Sequence, residues 1–187
     1  TEITSLVSLR TDMWNVTNDG IRSLSRIMGA RLLDLRVADD TITKHYFFDF
    51  AAFCLAEYCP SLKRLTVMGG FGSHYYEEHL DTLNVSTGLM HILLGCPALK
   101  RLELVHKKIC NLQYLDELAM QLENVRNTPH GTLPPLKVFR FALAAGEPGL
   151  GSPERQAVRD RIQAIVPCFD DTPISHRYFR NYGVFAE

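Results

Sequence analysis

Short apolar alternations separated by longer apolar stripes run the length of this chain. The alternation Leu62-x-x-Leu65-x-Val67 sits inside Cys59-Pro60-Ser61-Leu62-Lys63-Arg64-Leu65-Thr66-Val67, and nearly the same phrase returns as Cys96-Pro97-Ala98-Leu99-Lys100-Arg101-Leu102-Glu103-Leu104. Three further segments carry the same spacing: Leu6, Leu9 and Thr11; Leu32, Leu35 and Val37; Leu136, Phe139 and Phe141. Their first leucines stand 26, 30, 37 and 37 residues apart in chain order. Period-two alternation predicts five strands, and a phrase recurring at such intervals predicts stacked copies of one supersecondary unit.

Between the strands the period becomes helical. Over 17–28, Ile21, Leu24, Ile27 and Met28 are placed on one face, with Thr17, Asn18 and Asp19 offering oxygens to the unpaired N–H groups of the first turn. A second helix is predicted over 44–58 with Phe47, Phe50, Ala51, Cys54 and Leu55 inward. A third covers 86–94, and a fourth covers 112–125 with Leu115, Leu118, Ala119 and Leu122 inward. The fifth begins after Ser152-Pro153-Glu154, where serine caps and proline suits the first turn, and presents Val158, Ile162 and Ile165 before Pro167 stops it. Strand–helix alternation implies parallel strands joined by right-handed crossovers. Neither element can bury its apolar face alone, so stacked neighbours supply the core and the strands line the inner curve of an arc.

The L-x-x-L-x-L core resembles that of the leucine-rich repeat superfamily. The two Cys-Pro-x-Leu-Lys-Arg-Leu phrases at 59 and 96, with Val16-Thr17-Asn18-Asp19-Gly20-Ile21-x-x-Leu24, resemble its longer, cysteine-containing (ribonuclease-inhibitor-like) type, found C-terminal to F-box motifs in ubiquitin-ligase substrate receptors. The second unit also keeps Asp40 and Ile42 near the Asn/Cys-x-Leu expected after the strand. The resemblance spans about residues 3–165. It implies an α/β leucine-rich-repeat solenoid of about five irregular repeats, with parallel strands on the concave face and helices on the convex face. It further implies a protein or peptide partner on the concave face, and a ubiquitin-ligase adaptor reached through a segment preceding Thr1. The chain departs from the pattern where Asn or Cys is expected: Trp14, Asp40, Gly70, Lys107 and Ala144 stand there, so no regular side-chain ladder forms. Residues 1–166 are assigned to the repeats, as the C-terminal part of a longer array. Residues 167–187 are assigned to a tail whose Tyr178, Phe179, Tyr182 and Phe185 cover the last repeat.

Composition narrows the partner classes. The 187 residues are 46% hydrophobic and 22% charged with a formal net charge of -1, a balance that carries no signature of a nucleic-acid or membrane-surface binder. The five cysteines, an odd number in apolar surroundings, favour reduced thiols and a cytoplasmic or nuclear home. No apolar run reaches the length of a membrane span.

Strand alternation then places the candidate site. Residues 64 and 66 face away from the core, and the same register in all five units gives one outward column of Ser8, Asp34, Arg64, Arg101 and Val138. Its neighbour reads Arg10, Arg36, Thr66, Glu103 and Arg140. Five arginines thus share a small surface, with Asp34 and Glu103 set to pair with some of them. Guanidinium forks match carboxylate and phosphate geometry, so an acidic or phosphorylated segment fits this face. The alternative is a scaffold or regulatory repeat protein with no ligase link, binding through the 68–84 loop, where Phe71, Tyr75 and Tyr76 stand among glycines and charges, or through the convex helices.

Catalytic and metal chemistry finds no foothold in the patterns. His74 and His79 miss the H-E-x-x-H and H-x-x-E-H spacings, and Gly69-Gly70-Phe71-Gly72 lacks the lysine of a phosphate loop. Cys54 and Cys59 have no second pair to complete a zinc site, and Cys59 and Cys96 read as small apolar fillers at helix-to-strand turns. No enzyme, metal or cofactor is expected.

Overall fold

The computed structural model describes residues 8–11, 18–39, 47–69, 83–106, 112–128, 131–142 and 151–172. Six strands form one all-parallel sheet: β1 (Ser8–Thr11), β2 (Asp34–Asp39), β3 (Arg64–Gly69), β4 (Arg101–His106), β5 (Val138–Ala142) and β6 (Phe169–Asp170). Their spatial order is their sequence order. Between them lie α1 (Asn18–Met28), α2 (Phe47–Tyr58), α3 (Leu83–Gly95), α4 (Leu112–Asn127) and α5 (Pro153–Gln163), each packed against the next. The fold is α/β.

The strand starts share one hydrogen-bond device. The amides of Lys63 and Arg64 both donate to the Leu33 carbonyl at 2.9 and 3.0 Å. Those of Lys100 and Arg101 donate to Lys63 at 2.8 and 3.1 Å, and those of Lys137 and Val138 to Lys100 at 2.8 and 3.1 Å. This bond fixes the stagger of each unit on the one before it. Leu35, Leu65, Leu102, Phe139 and Phe169 consequently lie side by side, with Val37, Val67, Leu104 and Phe141 as a second inward row. All but the half-buried Val67 are almost completely excluded from solvent and meet the helices in a single apolar core.

The Cys-Pro phrases are the helix-to-strand turns. Cys59 donates its amide to Leu55 and accepts from Leu62, and Cys96 repeats this with Ile92 and Leu99. Each thiol then points back one unit, Cys59 Sγ to the Ser25 carbonyl and Cys96 Sγ to that of Leu55, both at 3.8 Å. A small weak donor fits this confined position better than any larger apolar side chain. Gly95 answers a different constraint: a Cβ there would stand 2.7 Å from the Ala56 Cα, so only glycine lets α2 and α3 approach this closely.

Two expectations require correction. Ile27 is 68% exposed, whereas Ser25 is fully buried beside Ile21 and Met28. At 100° per residue, position 27 lies about 120° from position 21, while 25 and 28 stay on its face. The sheet also does not stop at 166. β6 continues the sheet, with Phe169 opposite Phe139 and Asp170 opposite Arg140. Phe139, Phe141 and Phe169 pack edge-to-face with centroids 5.2–5.6 Å apart, giving the last units an aromatic core in place of leucine. The aromatic residues expected to cap the array, Tyr178, Phe179, Tyr182 and Phe185, lie outside the described residues, as do the capping oxygen of Thr17 and the side chains of Phe47, Phe50 and Ala51.

After β6 the apolar row meets a carboxylate. Asp171, 1% exposed, accepts from Arg155 Nε at 3.0 Å and is also held by Arg159. Arg155 is itself 4% exposed. Breaking a buried ion pair by removing one partner strands the other charge. Asp171→Ala is therefore expected to lower unfolding free energy by about 3–5 kcal/mol. The double change Asp171→Leu with Arg155→Met should recover most of that loss, as read by urea denaturation.

Candidate functional site

The face turned away from the helices carries the charged columns. Pairing confirms their register: Ser8, Asp34, Arg64, Arg101 and Val138 are successive neighbours, as are Arg10, Arg36, Thr66, Glu103 and Arg140. The second column gains Asp170 from β6, which five-strand reasoning missed. Its signal was present as Phe169-Asp170, the same apolar–charged step as Phe139-Arg140. The side chain of Arg10 and the loop residues Phe71, Tyr75 and Tyr76 lie outside the described residues, as do His74 and His79.

Accessibility divides the expected residues. Arg64, Arg101, Arg36 and Arg140 are 58, 42, 39 and 31% exposed along their side chains. Thr66 and Glu103 are buried although they belong to the outward column. They are shielded from solvent, and Glu103 holds an arginine in place. Glu103 takes both oxygens to Arg101, from Nε and Nη2 at 3.0 Å each, and accepts from the Thr66 hydroxyl at 3.4 Å. Arg140 approaches the same carboxylate at 3.9 Å and forks onto Asp170 at 3.0 and 2.9 Å.

The other half is looser. Asp34 lies 3.9 Å from Arg36 Nε and 3.6 Å from Arg64 Nη1, distances that give Coulomb attraction without a hydrogen bond. The Asp34 Oδ1 is buried and hydrogen-bonded to no described group. The strand face is therefore graded, from a closed network over β4–β6 to an open cluster over β2–β3.

Register also sets like charges side by side. Arg10 is the neighbour of Arg36, and Arg64 is the neighbour of Arg101. Directly opposed like charges destabilise a sheet. Of the described side chains, Arg64 and Arg101 each meet this repulsion with a nearby carboxylate, Asp34 and Glu103.

Asp170 shows how the closed half is held. Burial pushes its carboxyl upward, but the Thr172 hydroxyl and amide and then the Arg140 guanidinium outweigh burial and hold it below the ordinary aspartate value. The cysteines show the opposite balance. Burial pushes the Cys59 thiol up to about 11 and the Cys96 thiol up to about 12. Among the described residues no group of three or more His, Cys, Asp or Glu side chains could hold a metal ion, and no helix is long and apolar enough to cross a membrane.

In comparisons with known proteins, no family model, no curated protein and no solved structure matches this chain. The functional reading rests on the site itself.

Two measurements check this electrostatic picture. A carboxyl with a depressed native pKa adds stability that is complete above the unfolded value, about 3.9, and is lost as pH falls through the native one. Asp170→Asn should thus cost about 0.5–1 kcal/mol at neutral pH, the range for a partly solvent-screened pair. The difference should vanish in acid, as followed by urea melts across pH. Cys59 and Cys96 should resist iodoacetamide at about pH 8 in the native chain and react once it is unfolded in urea, read by mass spectrometry.

Proposed function

We propose that this chain is a leucine-rich-repeat solenoid of the ribonuclease-inhibitor-like type, acting as a protein-interaction module that holds an acidic segment of a protein partner on its outward strand face. The observation that carries the reading is the accessible arginine cluster of Arg36, Arg64 and Arg101, with Arg64 and Arg101 as like-charge neighbours, on an otherwise charge-balanced chain. An anion laid across these guanidiniums gains charge-assisted hydrogen bonds. The sequential parallel units and the leucine rows support the solenoid reading, and the residues Leu-x-x-Leu-x-Leu carry its resemblance.

The Cys-Pro phrases extend the proposal to the receptor half of an F-box-type ubiquitin ligase. Co-purification of a ligase adaptor with the chain is the test of that extension. A second surface is favoured by one observation: Ile27, Phe53, Leu94 and Met120, one on each of four successive helices, are all exposed. A scaffold bound through its helices would use them.

A peptide array sampling acidic, neutral and basic segments separates the two surfaces. Arg36→Glu with Arg64→Glu is expected to remove capture of acidic segments by at least tenfold while leaving the thermal midpoint within a few degrees. Arg126→Glu on α4 should leave capture intact. Loss of capture in Phe53→Ser, with the arginine variant unaffected, would move the site to the helices.

A further inference from the structure

The open half of the strand face contains its own anion. Asp34 stands between Arg36 and Arg64, 3.9 and 3.6 Å from their nearest nitrogens, with a side chain only 17% exposed. Neither contact is a hydrogen bond, so Asp34 itself takes no donor from either guanidinium fork. Glu103, by contrast, uses both oxygens on Arg101.

The geometry points to Asp34 as the specificity-determining residue of the site: it disfavours doubly charged phosphoryl groups, and the Arg36–Arg64 pair takes a carboxylate side chain from an acidic segment of a protein partner. This rests on reading the strand face as a partner surface. Any anion seated between the two guanidiniums lies at close range to the Asp34 carboxylate. Repulsion between them scales with the charge of the ligand, and partial burial strengthens it relative to water. A carboxylate brings one negative charge, whereas a phosphoryl group brings about 1.5–2. Two arginines and one aspartate sum to a single positive charge, which one carboxylate neutralises. A phosphoryl group would leave the cluster negative around a carboxylate oxygen, Asp34 Oδ1, that is already buried and hydrogen-bonded to no described group. Asp34 thus lowers the affinity of the arginines for every anion, and lowers it most for the dianion.

The test uses two short glycine–serine peptides, one carrying a single glutamate and one a single phosphoserine, titrated at low ionic strength against the arginine side-chain NMR signals. In the native chain both Arg36 and Arg64 signals should shift with the glutamate peptide, and the phosphoserine peptide should bind no more tightly. Asp34→Asn should tighten both, and raise the phosphoserine-to-glutamate affinity ratio by about fivefold or more. Asp34→Ser provides the same reading should the asparagine perturb folding, as judged by the amide spectrum. An unchanged ratio in a folded variant, or a native preference for phosphoserine, overturns the role of Asp34 while leaving the surface intact. If neither peptide shifts Arg36 or Arg64, the reading of the face as an anion-binding surface falls with it.

Discussion

The three central strand pairings of this sheet depend on a shared carbonyl at the strand starts. One acceptor, at Leu33, Lys63 and Lys100 in turn, takes two amides from the following unit and sets its stagger. Side chains alternate with a period of two, so a slip of one residue would expose the leucine rows and bury the arginines. Core and charged face are therefore one structural decision. The intervening segments can differ greatly in length, as the repeat spacings do, without disturbing either surface.

That constraint also explains why the charged face cannot be neutral everywhere. Parallel neighbours stand about 4.8 Å apart, and each outward residue must live beside whatever the next unit places in its register. From β4 to β6 the opposites alternate, Glu103 beside Arg140 beside Asp170, and the forks close. Over β2 and β3 Asp34 stands beside Arg64, but at a distance that closes no fork, and Arg36 and Arg64 stay partly exposed around it. The C-terminal end of the sheet holds the aromatic cluster and the buried Asp171 pair, while the loosely held guanidiniums, Arg36 and Arg64, lie on β2 and β3. Separating the two lets the open arginines change without touching what holds the sheet together.

The alternation of the strands was fully legible, because period two is short enough for five residues to establish it. Both outward columns follow from it residue for residue. The buried faces of α2 and α4 were legible where their side chains are described, in Cys54, Leu55, Leu115, Leu118, Ala119 and Leu122. Ile27 was misplaced because hydrophobicity was weighed above angle, and the face it was given belongs to Ser25. The sixth strand was hidden by composition: the position that continues the leucine pattern holds Asp171, and its countercharge Arg155 lies 16 residues earlier on α5. Thr66 and Glu103 sit in the outward column but are buried. Their burial depends on how long arginine side chains lie across the sheet, which no local pattern encodes.

The same distinction between column and accessibility separates recognition from support. Glu103 is the most enclosed charge of the strand face, and its two oxygens are spent on Arg101, so that arginine's position is dictated from below. Arg64 is the most exposed arginine among the described side chains of this face, and its contact with Asp34 is too long to orient the guanidinium. The strand face thus sets an oriented guanidinium, Arg101, beside a loosely held one, Arg64. The like-charge neighbours on β3 and β4 are thus complementary in rigidity as well as alike in sign.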